Sequence, residues 1–536
     1  MPMLPYYTPP PAQVAAIQQP LAASPTAAAG SAPGSPTTDQ RGQVGSVLRV
    51  RSHGYLYTVT GNHLLRPSEV DKALQGATDP RAAIGALKQA YQRHGYFLVA
   101  LVGRTSGNDV QVRVVQGRLT HVEGPPALNR FFSGLKDNDT VKSSDVIRQS
   151  MLAQAYAATN GEQPQISFKP APEFGGSTME IGQQPLAKYS PFGGSLTFGN
   201  FGNRYAGHYL AQAQAYVRHH GYTLQVTHAS ALTGLDSNTS GAFYSATGAT
   251  VAKVTPLGTF QVDYNFTRYQ LGQAFAPLFP LGRIENYGGS GTQILYADDR
   301  TRWTLDEGVH HIHDSETVFN GIYTLRNQKY MVFNLDSDVS WRFGGLFKHP
   351  ASLSAGAGVK LGADGGESGF VNGVGAPTPH FQIYTAHAGV TQSLAHDFSL
   401  AFDLSGQASH QTVPSYEQWV LGGLNNITAY LPGTVAGDRG YLGRLTLQGP
   451  QWQLGPVQMR PSVFAEHGAA RYSYIAAHAP IWQGLTDAGA GLSFSAPAAH
   501  TTAMLAYAKP ISANNVESSL LARQTAHVFF YLQMAL

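Results

Sequence analysis

Cysteine is absent from all 536 residues, which excludes a disulfide framework and any thiolate nucleophile or metal ligand. Charge is scarce: Asp, Glu, Lys and Arg make up 12% of the chain, about half the roughly 25% of soluble proteins. No stretch approaches the roughly 18 apolar residues of a transmembrane helix, and the longest apolar run lies near Tyr96–Val102. The net charge of +3 is too small to argue for a nucleic-acid surface. Catalytic signatures are missing too. There is no phosphate loop, no Gly-x-Ser-x-Gly elbow, no His-Glu-x-x-His and no paired acid and base, so neither an enzyme nor a cofactor is expected. The run His310-His311-Ile312-His313-Asp314 places His311 and His313 on one strand face, but without a wider ligand set it reads as a polar cluster rather than a metal site.

What is abundant is glycine (59), tyrosine (27) and phenylalanine (25), at a mean hydropathy of −0.17. Such a chain is neither greasy nor highly charged. It suits a membrane β-barrel, in which every second residue faces lipid and aromatics gather at the two interfaces. A secreted soluble β-protein fits the composition equally. A length of 536 residues calls for at least two domains.

Residues 1–43 are rich in Pro, Ala, Ser and Gln. They cannot bury a core and are expected to be disordered, with room for one short helix at Ala12–Gln19 before Pro20. Residues 44–116 read as β-α-α-β-β. A strand at Tyr55–Thr60 is followed by a helix opening at Pro67-Ser68-Glu69 with Val70 and Leu74 on one side. A second helix carries Ile84, Leu87 and Tyr91, and strands follow at Tyr96–Val102 and Val110–Val115 around Gly107-Asn108-Asp109. Residues 117–187 repeat that order: a strand at Arg118–Glu123, helices at Leu128–Leu135 and Ser143–Ala157 (Ile147, Met151 and Ala155 on one face), and strands at Gln165–Lys169 and Thr178–Ile181.

From Lys188 to Leu536 the pattern is period-2 alternation. Phe260, Val262, Tyr264 and Phe266 oppose Gln261, Asp263, Asn265 and Thr267. Met331, Phe333, Leu335, Val339 and Trp341 oppose Asn334, Asp336, Asp338 and Ser340. Phe398, Leu400, Phe402 and Leu404 oppose Ser399, Asp403, Ser405 and Gln407. Short turns such as Arg218-His219-His220-Gly221 connect them, and no helical segment is there to cover a sheet. A closed barrel satisfies every backbone group in lipid; at roughly 22 residues per strand and connection, this length predicts about 16 strands. The chain ends on an alternating strand, Val528 to Leu536.

One stretch interrupts the alternation. After Trp419-Val420-Leu421 come Gly422 and Gly423, then a long turn-rich segment to Gly437-Asp438-Arg439-Gly440-Tyr441, with a new strand expected from Leu442. A loop of this length (421–447) in a β-protein is functional or disordered; here it reads as folding back into the pore.

The ordered motifs resemble a known family. Gly61-Asn62, Tyr91…His94-Gly95-Tyr96 and Val115-Gln116-Gly117-Arg118 are similar to a POTRA domain, and residues 127–182 to a second, although Thr159-Asn160-Gly161-Glu162-Gln163-Pro164 stands where the family has Asn-Asp-Leu-Pro-Gly. Phe192-Gly193-Gly194…Asn200-Phe201-Gly202-Asn203-Arg204-Tyr205-Ala206-Gly207, Gly489–Phe494 and Ala506-Tyr507-Ala508-Lys509-Pro510 resemble barrel strands of the same proteins. Together they resemble the two-partner (type V) secretion transporters of the outer membrane, the ShlB/FhaC/HecB haemolysin secretion/activation family. The resemblance implies POTRA domains in the periplasm that capture an unfolded client, a pore that exports one large exoprotein, no ATP, and a monomer in outer-membrane lipid. The signal such a protein needs is expected to lie outside the given start, since no Lys or Arg precedes Arg41. Two rivals remain open: an assembly factor inserting other barrels, which usually carries more POTRA units, and a passive porin or β-adhesin, which leaves residues 50–182 unexplained.

In the family's register, the pore loop's Val-Arg-Gly-Tyr/Phe motif falls on Ile427-Thr428-Ala429-Tyr430, so the Arg is Thr428. The barrel-wall Phe-x-Asp-x-Gly falls on Phe464, Glu466 and Gly468, and the Gly-Asp-x-Gly-Tyr is intact as Gly437–Tyr441. A buried carboxylate needs a cation or a proton. Arg439 reaching Glu466 is the arrangement expected; a bond from His467 or Thr428, or a looser loop, are the alternatives.

Overall fold

A computed structural model describes residues 47–536 except 137–139, 236–240, 365–374 and 476–478. The expected disordered segment and helix within residues 1–43 lie outside the described residues. Contacts divide the described chain between Tyr189 and Ser190.

The N-terminal part holds two α+β units, as the POTRA reading requires. In the first, the sheet order is Leu48–Ser52, Tyr55–Thr60, Asp109–Val115, Ala100–Ser106. The two central strands run parallel, which the intervening helices Pro67–Gln75 and Pro80–Arg93 make possible. Val70, Leu74, Leu87 and Tyr91 are buried as the periodicity predicts. The strand Leu48–Ser52 was not legible, because only Val50 and Ser52 turn inward. Its signal is the following turn, where His53 and Gly54 both take positive φ (48° and 84°), the two-residue hairpin geometry. The strand expected at Tyr96–Val102 lies instead at Ala100–Ser106. Gly95 at φ 85° caps the helix, and the Tyr96 N–H still donates to the Tyr91 carbonyl at 2.9 Å, so the apolar run starts as a helix exit.

Asn62 ties this unit together. Its Oδ1 accepts from the Tyr91 hydroxyl (2.6 Å) and the Leu65 N–H (3.1 Å), and its Nδ2 donates to the Leu65 carbonyl (2.8 Å). Burial pushes the Tyr91 phenol well above its usual range, so it stays a donor.

The second unit has a three-stranded sheet ordered Arg118–Glu123, Gly176–Pro185, Glu162–Pro170. Helices Pro126–Phe132 and Ser143–Ala158 cover it. The longer helix buries Val146, Leu152, Ala153, Tyr156 and Ala157, not the Ile147–Met151–Ala155 row. A strict four-residue step drifts around a 3.6-residue helix, and the larger Leu152 and Tyr156 fix the inner face.

The C-terminal part is a closed antiparallel barrel of sixteen crossing strands, from Phe192–Gly199 to Val528–Ala535, with a three-residue ribbon, Trp452–Leu454, inside one hairpin. It closes where Ser195–Gly199 pairs with Tyr531–Ala535. The apolar members of the alternating rows point away from the lumen and most stay exposed: Val262 is 60% exposed, Leu335 47% and Phe402 47%. A soluble sheet would bury them, so this exposure decides for a lipid-facing wall. Lumen side chains lie along the wall. A Cβ on Gly358 would come within 1.7 Å of the Asp336 carboxylate, and one on Gly356 within 2.3 Å of that of Asp338. No helix among the described residues is long and apolar enough to cross a membrane; the crossing is by strands. One short helix, Ser518–Gln524, sits before the last strand, where none was expected.

Replacing Asn62 with Ala removes three bonds and leaves the Tyr91 hydroxyl and Leu65 amide unpaired. A loss of about 1–3 kcal/mol is expected, read as a lowered urea midpoint of a fragment spanning residues 47–187.

Candidate functional site

The interrupting segment runs inward from a two-stranded ribbon, Trp419–Leu421 with Val435–Gly437. Gly422 and Gly423 start the turn at φ 111° and 106°. A Cβ on Gly422 would lie 2.1 Å from the Leu431 carbonyl oxygen, so the loop's own closure demands glycine there. Gly423 N–H donates to the Tyr430 carbonyl (2.7 Å), and Asn426 Nδ2 to the Val420 carbonyl (2.9 Å). At the tip, Ile427, Thr428 and Ala429 are fully buried and Tyr430 nearly so. Ile427 holds φ at 61°, a costly state for a β-branched residue that persists only where its surroundings impose it.

Those surroundings are two carboxylates on neighbouring wall strands. Thr428 N–H donates to Glu466 Oε2 at 2.6 Å, and Ala429 N–H donates to Asp487 Oδ2. Glu466 and Asp487 stand directly opposite each other in adjacent strands and are both buried. Arg444, opposite Glu466 on its other side, forms an ion pair with Glu466 Oε1. The Arg444 guanidinium lies 4.5 Å over the Phe464 ring and donates to Thr446 Oγ1 at 3.1 Å. The remaining side of the tip is held by main chain: Leu431 N–H to the Gln524 carbonyl (2.7 Å), and Ala526 N–H to the Ala429 carbonyl (2.9 Å).

The predicted site residues therefore separate. Phe464, Glu466 and Gly468 share one inward face: Phe464 stacks on the cation, Glu466 accepts the loop amide, and Gly468 leaves room for Leu421, whose Cδ2 would lie 3.0 Å from an added Cβ. Asp438 is fully buried and braces the loop's base, accepting from Val413 N–H (3.0 Å) and Ser473 N–H (2.6 Å). Gly437 and Gly440 admit the Arg471 backbone and the Trp419 ring. Tyr441 stands on the outer wall, its hydroxyl 3.1 Å from His467 Nε2.

The expected Arg439–Glu466 pair is not formed. Arg439 donates to the Ser409 carbonyl at 2.5 Å, and Arg444 is the cation. His467 points outward and meets Thr486 Oγ1 at 2.8 Å; of the alternatives, a bond from Thr428 is made, but by its backbone. The returning strand starts at Arg439, not Leu442, so the inserted part is Gly422–Thr434 and residues 439–447 belong to the wall. Arg444 and Asp487 were missed. The hairpin 439–471 turns at Gly455-Pro456, where Leu454 pairs with Val457. Counting outward from that turn would set Arg444 opposite His467; a one-residue shift between Gln448 and Trp452 brings it opposite Glu466 instead, which the sequence does not reveal. Nearer the loop's start, Lys360 pairs with buried Glu417 at 3.1 Å, and Val413 packs with Ile312, Tyr330, Val332, Phe381 and Ile383. The loop therefore occupies part of the lumen through polar and apolar contacts together.

A sixteen-stranded barrel preceded by α+β units, with a loop clamped inside its lumen, defines an outer-membrane transporter. Residues 175–494 match the family of haemolysin secretion/activation proteins ShlB/FhaC/HecB, and the chain belongs to that family. It is thus a two-partner secretion transporter of the outer membrane, with its POTRA domains in the periplasm. Among relatives, it is 22% identical over 425 residues to the heme/hemopexin transporter protein HuxB of Haemophilus influenzae, covering 76% of this chain and 73% of that one. Among solved structures, it is similar to CdiB from Escherichia coli (TM-score 0.72, 16% identity, 94% and 93% of the two chains) and to CdiB from Acinetobacter baumannii (TM-score 0.63, 13% identity, 94% and 93%).

Arg444→Ala leaves a buried carboxylate without its cation, a change that costs about 3–5 kcal/mol. Lower-temperature loss of the compact gel form and new protease cleavage within residues 422–434 are expected. Thr428→Val removes only the Asn425 N–H bond to its hydroxyl (3.2 Å) and should cost about 0.5–1.5 kcal/mol. Arg439→Ala should leave the tip protected.

Proposed function

We propose that the chain exports one large exoprotein through the lumen now occupied by residues 422–434, and that release of this loop from Glu466 and Asp487 opens the path. The observation that carries the reading is the clamp itself. A segment whose buried amides are held by wall carboxylates is a removable occupant, because its bonds are few and local while the wall is continuous. On this reading Gly422, Gly423 and Ile427–Tyr430 form the gate, Gly437 and Asp438 brace its base where Arg439–Tyr441 join the wall, and Phe464, Glu466 and Gly468 are its seat.

Residues 44–116 and 117–187 act as the two capture domains. Their sheets keep edges to which an extended client can add a strand. Ala100–Ser106 is one such edge, free of proline and mostly exposed. The strand Glu162–Pro170 is a poorer one: Pro164 lacks an N–H, and Lys169 is engaged by Glu123 (2.9 Å) and Glu180 (2.7 Å). The transporter works as a monomer whose only other partner is outer-membrane lipid.

The test compares culture medium with and without the gene. Loss of one large protein from the medium, trapped or degraded in the periplasm, is the expected result. Unchanged medium with a decline of several outer-membrane barrels would instead identify an assembly factor. In planar bilayers, the Glu466→Gln/Asp487→Asn pair should raise open-channel conductance; an unchanged trace would count against the loop as the gate.

A further inference from the structure

The three longest described crossings, Leu281–Ala297, Thr301–Val318 and Tyr323–Phe343, carry a second arrangement on the outer wall. Near one rim Trp341 and Phe343 stack at 4.6 Å. From Trp341 to Met331 the outward positions are Trp341, Val339, Ser337, Leu335, Phe333 and Met331, mostly apolar. Those ten steps, at about 3.4 Å each and a tilt of about 40°, rise about 26 Å, the height of a barrel's apolar band. The band ends in a second aromatic row. Tyr264 stands opposite Tyr287, and Tyr287 stacks on His311 at 4.9 Å.

Directly beyond that row the wall becomes cationic. Arg268 stands opposite Arg283, and Lys329 opposite His313. All three cations lie on the outward face of their strands, Arg283 with its side chain 55% exposed. The Arg283 guanidinium is steadied 5.0 Å from the Phe266 ring and paired with Glu285. His313 lies 3.8 Å from Glu285 and 2.9 Å from Asn327 Oδ1. Three cations thus meet one carboxylate, and the chain above them, residues 269–282 and 317–325, contains no Asp or Glu. Arg268 and Lys329 are three inter-strand steps apart, about 14 Å.

Both chain ends of the barrel lie at the opposite rim, Ser195 beside Ala535, and the chain that leads into the first strand is periplasmic. The cationic row therefore stands at headgroup height in the outer leaflet. The lipid there is lipopolysaccharide, whose glucosamine disaccharide carries a phosphate at each end. Arg pairs with phosphate through two parallel N–H bonds and Lys as a point charge. We propose that Arg268, Arg283 and Lys329 bind the phosphorylated disaccharide headgroup of outer-leaflet lipopolysaccharide, fastening this sector of the barrel at a fixed height. Glu285 and Phe266 position Arg283, and Asn327 and Ser315 supply neutral donors to the sugar.

The test uses the full-length protein purified in detergent, with diphosphorylated lipid A, dephosphorylated lipid A or phosphatidylglycerol added. The midpoint temperature at which the compact gel form is lost should rise by several degrees with diphosphorylated lipid A and not with the other two. Arg268→Gln/Arg283→Gln/Lys329→Gln should abolish the rise. Should that variant fail to fold, Lys329→Gln alone should weaken lipid A binding at least threefold. An equal shift in wild type and variant overturns the proposal. So does an equal shift from all three lipids, which would mark a general effect of lipid on the barrel.

Discussion

A backbone N–H taken out of water must find an acceptor or cost about 1–3 kcal/mol. The tip of the in-folded loop brings several such groups into the lumen, and it folds there because the wall holds acceptors for them. Glu466 and Asp487 take the amides of Thr428 and Ala429, and Arg444 keeps Glu466 tolerable in burial. The glycines, the strained Ile427 and the ribbon at the loop's base all serve to deliver those two amides to those two carboxylates.

This arrangement also explains how the chain departs from its family's pattern without losing the loop. Where the resemblance expects a loop arginine reaching a wall aspartate, the positive charge has moved to the wall, and the carboxylate, one methylene longer as Glu466, takes a backbone amide instead. Phe464 then has a direct use as the surface under the Arg444 guanidinium. Loop side chains at 428 and 429 are freed from carrying charge, which is why Thr and Ala suffice there.

Much of the fold was legible. Alternation is a local property, so Phe260–Thr267 and Phe398–Gln407 declared both their strands and their lipid-facing sides, and the strand Arg118–Glu123 was read to the residue. Two helices and their buried faces in the first unit followed from spacing. What failed was whatever depends on tertiary competition. Tyr96–Leu98 have strand propensity but serve the helix end, and the Ser143–Ala158 helix chose the face with larger side chains. In the site, the motif positions were legible because they are sequential. The Arg444–Glu466–Asp487 grouping was not, because it exists only across three strands and depends on register, which one misplaced strand start conceals.

The barrel's closure carries a mechanical consequence. A cylinder under load is as strong as its weakest joint. Ser195–Gly199 meets Tyr531–Ala535 over only five residues, whereas Tyr330–Phe343 meets Ala351–Asp364 over fourteen. Asn200 lengthens the short joint with its side chain, accepting from Phe530 N–H at 2.7 Å and donating to the Val528 carbonyl at 2.8 Å. With its own N–H on the Phe530 carbonyl (3.2 Å), and with Gly194 and Leu536 exchanging main-chain bonds at the other end, Asn200 acts as a rivet where the pleat runs out. The hoop is stiff around most of its circumference and compliant along one line, and radial strain from a wide cargo would concentrate there.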